Sequence, residues 1–339
     1  MTRSLALLLL LAGTGAAEAV VVGVSWSHFQ EERWKTDEAG MRDLLEERGA
    51  GYLAADAQSS SEKQIADIET LIARGAEVLI VLAQDADAIG PAIALAQAEG
   101  IPVIGYDRLI EIPGVFYLSF DNVEVGRIQA REILRIQPRG RYVFIKGSPT
   151  DPNADFVHAG QLEVLKPAID AGRIEIVGDQ YVDGWLPERA QQVTEQILTA
   201  NRDRVDAIVC SNDGMAGGVV AALRSQGLEG TPLSGQDGDH AALQRVARGE
   251  QTVSVWKDAR ALGRRAAEIA LALAAGESAK DVDGVRSWNR GPRGTPVDAI
   301  LLEPIAVTAD NLGVVIDAGW VSRQALCRDV GLNPPQACR

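Results

Sequence analysis

Short apolar runs alternate with amphipathic stretches through the first third of the chain. The runs predict strands buried on both faces, and they occupy residues 20–25, 51–57, 77–83 and 101–107. Between them, apolar side chains share one helical face, as Met41, Leu44 and Leu45 do. This order of strand, helix and strand predicts right-handed βαβ units around a parallel sheet.

Small residues mark the ends of the predicted helices. Ser61 and Gln64 have the spacing of a capping box, which predicts that a helix begins there. Glycines stand where a left-handed residue would end three of the helices, at Gly49, Gly75 and Gly100. These signals divide the first third of the chain into repeated strand and helix units.

The same alternation restarts after residue 140 and predicts a second α/β unit. Its apolar runs are 141–147, 172–179, 206–213, 231–237 and 251–258. Residues 115–126 predict a strand that leads into a new helix, which makes this passage the natural crossover between the two units. Because no linker rich in Pro, Gly or Ser separates the units, we expect several short chain crossings.

The first 19 residues have the layout of a secretory signal peptide. One Arg precedes an apolar run from Leu5 to Ala12, and small residues end in Ala17-Glu18-Ala19. The run is too short to span a bilayer as a stable helix. We therefore predict cleavage after Ala19 and export from the cytoplasm. No Cys follows the run, so no lipid anchor to the membrane is expected.

Length and charge narrow the class of protein. Removing 19 residues from 339 leaves 320, which suits two domains. The chain has 47 acidic and 33 basic residues and no basic stripe, so it lacks the electrostatic footprint of a nucleic-acid-binding protein. Nucleic acid is therefore excluded as a partner.

The cysteines and histidines indicate neither a metal site nor a cofactor. Cys210 lies in an apolar run and is expected to be a buried side chain. Cys327 and Cys338 lie close together near the C-terminus, where a disulfide would add about 3 kcal/mol in an oxidising compartment. The sequence leaves open whether they are bonded. Three scattered histidines lack zinc spacing: His28, His158 and His240.

Polar and aromatic residues crowd the loops that follow the predicted strands, where ligands of open parallel sheets bind. The loops are 25–35, 83–87, 106–108, 147–155, 178–185, 211–213, 235–240 and 256–258. They contain no phosphate loop, dinucleotide turn or nucleophile elbow. Carboxylates, amides, guanidinium and ammonium groups can instead bond sugar hydroxyls while indole rings cover the apolar face. We therefore predict a sugar site.

The passage GDQYVDGWLPE, residues 178–188, places an aromatic side chain at such a loop. Asp183 and Gly184 form the predicted turn, and Pro187 suits the first turn of the next helix. Trp185 between them is expected to point into the cleft. It would form one wall of a clamp that stacks on a sugar ring.

Seven passages resemble the periplasmic D-xylose-binding proteins of ABC transporters. They are ERW (32–34), YDR (106–108), SFDN (119–122), GSPTDPNA (147–154), GDQYVDGWLPE (178–188), SNDGMAGG (211–218) and SGQDGD (234–239). The likeness runs in order from about residue 20 to about residue 320. It implies the type I periplasmic binding protein fold, with two Rossmann-like lobes whose parallel sheets are joined by a three-segment hinge.

This resemblance implies both the lobe boundaries and a ligand set. One lobe would comprise 20–121 and 255–302, and the other 122–254 and 303–339. Trp34 and Trp185 would sandwich the sugar ring. The full set of implied binding residues is Arg33, Trp34, Asp107, Arg108, Asn153, Trp185, Asn212, Asp237 and Lys257.

The resemblance also implies partners. These are a monosaccharide, most of all D-xylose, an ABC permease and a chemoreceptor, with the chain acting as a periplasmic monomer. Three alternatives remain at this point: another pentose or hexose as ligand, an exported carbohydrate-active enzyme with Asp107 and Asp237 as its acid and base, and a sugar-responsive regulator. The acidic balance and the lack of a helix-turn-helix disfavour the regulator.

Several residues depart from the pattern or have a second interpretation. The first loop carries the extra bulky residues Trp26, His28 and Phe29, and residues 287–296 are a local variation. Asp213 is expected to cap a helix that begins at Gly214 rather than to bind ligand.

Overall fold

The computed structural model describes residues 19–331 and 334–339. The predicted signal peptide falls almost wholly on residues 1–18, outside the described part of the chain. The strands are β1 Val21–Trp26, β2 Gly51–Asp56, β3 Val78–Val81, β4 Val103–Tyr106, β5 Phe116–Phe120, β6 Gly140–Lys146, β7 Ile174–Tyr181, β8 Ala207–Cys210, β9 Ser234–Asp237, β10 Val253–Trp256, β11 Arg286–Trp288, β12 Val297–Leu302 and β13 Ile305–Val307.

Helices connect most of these strands. They are α1 Arg33–Glu47, α2 Ser61–Ala73, α3 Gly90–Ala98, α4 Asn122–Ile136, α5 Pro152–Asp170, α6 Pro187–Ala200, α7 Asp213–Ser225, α8 His240–Arg248, α9 Ala259–Ala274, α10 Gly313–Asp317 and α11 Arg323–Leu326. Single 3-10 turns occupy Asp183–Trp185, Ala279–Asp281 and Gln336–Cys338. Among the described residues, none of the helices has the length and apolar content that crossing a bilayer requires.

Two mostly parallel sheets organise the chain. The first has seven strands in the order β11-β12-β5-β4-β3-β1-β2, in which only β11 is antiparallel to its neighbour. The second consists of β7-β6-β8 and β9-β10-β13, which a parallel bridge between Ile208 and Leu233 joins. The α/β class with parallel sheets in two lobes is confirmed.

The chain passes between the two sheets three times. The crossings follow β5, β10 and β12, so that α4 packs on the second sheet while α9 packs on the first. The predicted lobe boundary at residue 255 falls inside β10, and the chain leaves the second sheet only after Trp256. Three short, neighbouring crossings allow the lobes to rotate relative to each other while each keeps its core.

Apolar side chains fill a separate core in each lobe. Trp26, Met41 and Leu45 are fully buried between the first sheet and helices α1 and α9. Val143 and Ile208 belong to the corresponding core of the second lobe. The inner strands β3, β4 and β8 are fully buried because helices cover both sides of each sheet, which is why they have continuous apolar runs.

The predicted capping box of Ser61 and Gln64 needs correction. Helix α2 begins at Ser61, but its cap is Ser60, whose Oγ accepts a hydrogen bond from Lys63 N at 3.1 Å. Gln64 is buried and instead bonds Leu82 O and Gln84 N, at 2.8 Å each. It therefore braces the loop after β3 rather than completing a capping box.

A disulfide joins the tail of the chain to itself. Cys327 and Cys338 are bonded, with their Cα atoms 5.5 Å apart. Cys210 is a free, fully buried thiol in β8, as its apolar neighbours indicated. The tail packs against α8, where Gln244 Nε2 donates to Ala325 O at 2.9 Å.

Candidate functional site

The loops at the carboxyl ends of both sheets meet in one pocket between the lobes. The empty space of this pocket is about 280 Å³ when the part that is open to solvent is included. The enclosed part of the cavity measures about 20 Å³, roughly the room that one water molecule needs, because side chains of the two lobes meet directly across it. The lining residues are Glu31, Arg33, Trp34, Asp107, Arg108, Asp151, Asn153, Trp185, Asn212, Gln236, Asp237 and Lys257.

The pocket therefore brings together all nine residues that were predicted to bind ligand. They come from loops and helix starts that lie far apart in sequence, because parallel strands direct their carboxyl ends to the same edge of a sheet. Trp26, one of the extra bulky residues of the first loop, is fully buried behind the pocket and packs against Trp34 and Tyr106. It is a core residue.

Arg33 links carboxylates of both lobes. Its Nε donates to Asp37 Oδ2 at 3.2 Å, one turn along α1. Its Nη2 lies 2.9 Å from Asp107 Oδ2 in the first lobe. Its Nη1 donates to Asp237 Oδ1 at 3.2 Å in the second lobe. Because the guanidinium is 2% exposed, these three acids hold a buried charge in place.

Lys257 reinforces the same network from the second crossing. Its Nζ lies 3.1 Å from Asp237 Oδ1 and 3.8 Å from Asp107 Oδ2. Burial raises the pKa of Asp107, but the charges of Arg33, Lys257 and Arg108 outweigh burial and leave this pKa below its ordinary value. Asp107 is therefore an ionised acceptor at neutral pH.

Three pocket residues have a backbone conformation that side chains other than glycine rarely adopt. The φ angle is +60° at Asp107, +59° at Trp185 and +103° at Asp237. Such residues cost of order 1–3 kcal/mol each and persist where surrounding structure holds them. Asn153 supplies part of that support, because its Nδ2 donates to the backbone O of Asp107 at 3.1 Å.

Asp151 holds the opposite wall together. Its Oδ2 accepts a hydrogen bond from Trp185 Nε1 at 3.1 Å and lies 3.0 Å from Arg108 Nε. Its Oδ1 caps α5 by accepting from Asn153 N at 2.9 Å. Burial raises the pKa of Asp151, although Arg108 opposes the rise. The carboxylate thus orients one indole and one guanidinium that face the pocket.

The two tryptophans predicted to clamp a ring both line the pocket. Trp34 is 3% exposed and Trp185 6% exposed. Trp34 Nε1 donates to Glu31 Oε2 at 2.7 Å, so each indole is fixed by its own carboxylate. Pro187 opens α6 directly after this turn, as predicted, which directs Trp185 toward the cleft.

The prediction that Asp213 caps the helix after β8 is wrong. Helix α7 begins at Asp213, and the cap is Asn212, whose Oδ1 accepts from Met215 N at 2.9 Å. Asp213 instead accepts from the backbone N–H groups of Gly238 and Asp239 at 3.0 and 3.1 Å. It fixes the loop that follows β9, while the Asn212 amide group stays available as a donor.

Three buried polar atoms of the pocket have no well-aligned hydrogen-bond partner among the described residues. They are Arg33 Nη2, Asp107 Oδ2 and Gln236 Oε1, of which the first two form an ion pair without hydrogen-bond alignment. Each unsatisfied buried group costs about 1–3 kcal/mol. Donors and acceptors that lie side by side in this way suit the hydroxyl groups of a sugar, which both donate and accept.

Sequence reasoning missed three lining residues, namely Glu31, Asp151 and Gln236. Each lies within two positions of a predicted binding residue, since Glu31 precedes ERW, Asp151 lies in GSPTDPNA and Gln236 in SGQDGD. Their position in strand-end loops is the signal that could have pointed to all three. Residue type did not separate them from ordinary turn and cap residues.

Comparison with known proteins agrees with this architecture. Residues 22–278 match the family described as periplasmic binding protein domain. The D-xylose-binding periplasmic protein of Escherichia coli (strain K12) is 41% identical over 307 residues, which cover 90% of this chain and 92% of that protein. Its counterpart of the same description in Haemophilus influenzae is 40% identical, covering 90% and 91%.

Solved structures lead to the same family. A carbohydrate transporter solute binding protein from Chloroflexus aurantiacus, in complex with D-glucose, superposes with a TM-score of 0.82 at 29% identity. The superposition covers 91% of this chain and 98% of the Chloroflexus chain. With the matched domain, the two lobes and the pocket between them, the chain belongs to the periplasmic binding protein family and has the type I fold of its sugar-binding members.

Proposed function

We propose that this protein captures a monosaccharide, D-xylose, in the periplasm and delivers it to an ABC permease. The observation that carries the proposal is the convergence of nine predicted sugar-binding residues on one interlobe pocket. The names of the two relatives that are 40% and 41% identical over 90% of the chain support D-xylose as the sugar.

The charges of the pocket favour a neutral ligand. Arg33, Arg108 and Lys257 are each paired with a carboxylate at 2.9 to 3.1 Å. An anionic ligand would have to displace these acids, and a cationic one would meet three buried cations. A sugar hydroxyl can accept from a cation and donate to its carboxylate without breaking the pair.

Capture would proceed by closure of the lobes over the sugar. Arg33 belongs to the first lobe and Asp237 to the second, so their 3.2 Å contact exists only when the lobes are closed. A sugar that bonds residues of both lobes binds the closed form better and shifts the population toward it. The permease would recognise this closed form.

The same contacts argue against an enzyme that uses Asp107 and Asp237 as acid and base. A general acid must hold a proton, whereas the charges of Arg33, Lys257 and Arg108 keep the pKa of Asp107 below its ordinary value and favour its ionised form. We therefore propose a binding role without catalysis. Within it, the protein would act as a monomer that also serves a chemoreceptor.

Isothermal titration calorimetry of residues 20–339 with D-xylose, D-glucose, D-ribose and L-arabinose tests the proposal. We expect D-xylose to bind best, and Lys257→Met to weaken binding at least 100-fold, because a buried carboxylate pair would lose its cation. The matched control is Lys63→Met, a side chain that is 41% exposed on α2. Absence of heat with all four sugars would refute sugar capture, and tighter binding of another sugar would refute xylose.

A further inference from the structure

Glu31 is a pocket residue with one oxygen in use and one free. Its side chain is 13% exposed. Oε2 accepts from Trp34 Nε1 at 2.7 Å and lies 3.1 Å from His28 Nδ1. Within residues 19–331 and 334–339, no hydrogen bond is made to Oε1. Oε2 is therefore held in place, while Oε1 is available to a ligand next to the indole that is predicted to stack on the sugar.

The surroundings of Glu31 favour its ionised form. Burial raises the pKa of this carboxyl, but His28, Arg108 and Trp34 together leave it below its ordinary value. Hydrogen bonds to an ionised acceptor are about twice as strong as those between neutral groups. Arg108 lines the same pocket, so a hydroxyl at this point could donate to the acid and accept from the guanidinium.

His28 is placed to set the position of Glu31. It lies in the loop between β1 and α1 and is 3% exposed. Loops are mobile unless side chains are tied down, and an imidazole that carries its hydrogen on Nδ1 would hold the Glu31 carboxylate against the loop, although Gln30 N also lies 3.3 Å from this nitrogen. His28 and its neighbour Phe29 belong to the bulky first loop that the sequence showed as a departure.

We propose that Glu31 is a further sugar-binding residue, which accepts the hydrogen of one sugar hydroxyl, and that His28 positions it. This inference rests on the proposed capture of D-xylose. The competing role for Glu31 is structural, as a simple anchor for the Trp34 ring. The two roles differ in one respect: only a direct contact depends on a single hydroxyl of the ligand.

Dissociation constants of wild type and Glu31→Leu for D-xylose and its four analogues that each lack one hydroxyl separate these roles. We expect Glu31→Leu to weaken D-xylose binding about 10- to 100-fold, the range for a hydrogen bond to a charged group. One analogue should lose this sensitivity. An equal loss with all five ligands would overturn the proposal and leave Glu31 as an anchor.

Further variants isolate the role of His28 and guard against misfolding. His28→Phe should weaken binding less than Glu31→Leu, and the double variant should bind no worse than Glu31→Leu alone, because His28 acts through Glu31. If Glu31→Leu does not fold, Glu31→Gln replaces it. This variant should show the same dependence on one hydroxyl, with a smaller loss of affinity. Glu46→Leu, exposed on the helix α1 that follows this loop, is the matched control and should bind as wild type.

The outcomes also separate this inference from the proposed function. If wild type does not bind D-xylose, the capture of that sugar is refuted and Glu31 loses its assigned ligand. If wild type binds D-xylose and Glu31→Leu binds equally well, sugar capture stands and only the role of Glu31 is refuted. Additive losses in the His28 and Glu31 double variant would refute the positioning role of His28.

Discussion

At the scale of single residues, contacts behind the pocket decide how its side chains are presented. Gly147 begins the loop after β6, and a Cβ added there would overlap the six-membered ring of Trp185. This ring is one of the two predicted clamp walls. The absence of a side chain at 147 therefore allows the indole to lie flat against the backbone.

We expect Gly147→Ala to weaken sugar binding although no lining residue is substituted. Overpacking costs about 1–3 kcal/mol, and the ring would relieve it by moving into the pocket, which corresponds to a loss of roughly 5- to 150-fold in affinity. Titration calorimetry with D-xylose measures the loss. Gly90→Ala is the control, because nothing lies within 4 Å of a Cβ there. Unchanged affinity of Gly147→Ala would show that Trp185 does not contribute a wall.

Asp37 links Arg33 to the core and makes stability depend on pH. Tyr106 and Arg33 both donate to this fully buried carboxyl. Burial raises its pKa to about 6 against the opposing effect of Arg33. The ordinary value is 3.8, so between pH 4 and 6 the folded state binds more protons than the unfolded state. This contribution to stability is full below pH 4 and is lost as the pH rises toward 6.

Asp37→Asn removes this titration. We expect the unfolding free energy of wild type minus that of Asp37→Asn to fall by up to about 3 kcal/mol from pH 4 to pH 6 and then to level off. Urea unfolding at pH 4, 5, 6 and 7 measures the difference. Parallel curves for the two proteins would mean that the pKa of Asp37 is not raised in the folded state.

At the scale of elements, the parts that the sequence predicted well are those with continuous apolar character. Strands such as β3, β4 and β8 are buried along their whole length by helices on both faces, so each is an apolar run followed by polar residues. The edge strand β11 was missed because two of its three residues are exposed. Strands β12 and β13 follow this variable segment. No helix lies between them, so the alternation of strand and helix that predicted the other strands is absent here.

The sequence predicted which residues form most of the candidate site, but it did not predict which of them pair with each other. Position at strand ends indicated the loops that contain Asp107, Asp237 and Arg33, and the family resemblance then singled out these three residues. The contact between Arg33 and Asp237 joins residues 204 positions apart and depends on the angle between the lobes. No local pattern encodes that angle, so the sequence did not predict the ion-pair network.

The tail is an element whose contribution to stability can be measured. Its disulfide closes a loop with a sequence separation of 11, which in the chain-entropy treatment adds about 3 kcal/mol. Upstream of the disulfide, Trp320 Nε1 donates to Gly238 O at 2.7 Å, in the loop that carries Asp237. The C-terminal segment therefore supports one wall of the pocket as well as α8.

We expect Cys327→Ser with Cys338→Ser to lower the unfolding free energy by about 2–4 kcal/mol in urea. Either single replacement should lose about as much as the double, since each breaks the same bond. Faster proteolysis of the tail with no change in global stability would contradict this expectation. It would mean that the tail unfolds independently of the second lobe.

At the scale of the whole molecule, contacts between the lobes extend from the pocket to its rim. Ala86 N donates to Thr150 O at 3.3 Å, and Thr150 Oγ1 donates to Gln84 O at 3.4 Å. Phe156 of the second lobe meets Trp288 of the first edge to face, with ring centroids 5.6 Å apart. All of these contacts join the two lobes in this arrangement, and those of Ala86 and Thr150 lie farthest from the chain crossings.

A cysteine pair at the rim would make closure observable. In Ala86→Cys with Thr150→Cys, the backbone contact brings the two Cα atoms within reach of a disulfide. If the closed form is a minor population of 10% or less without sugar, saturating D-xylose should speed disulfide formation about 10-fold or more. Quenching with a thiol reagent and counting free thiols measures the rate. The same pair in a Lys257→Met background is the control, and it should not respond to sugar. Equal rates with and without D-xylose in the binding-competent variant would show that sugar does not drive closure, and that delivery to a permease needs another signal.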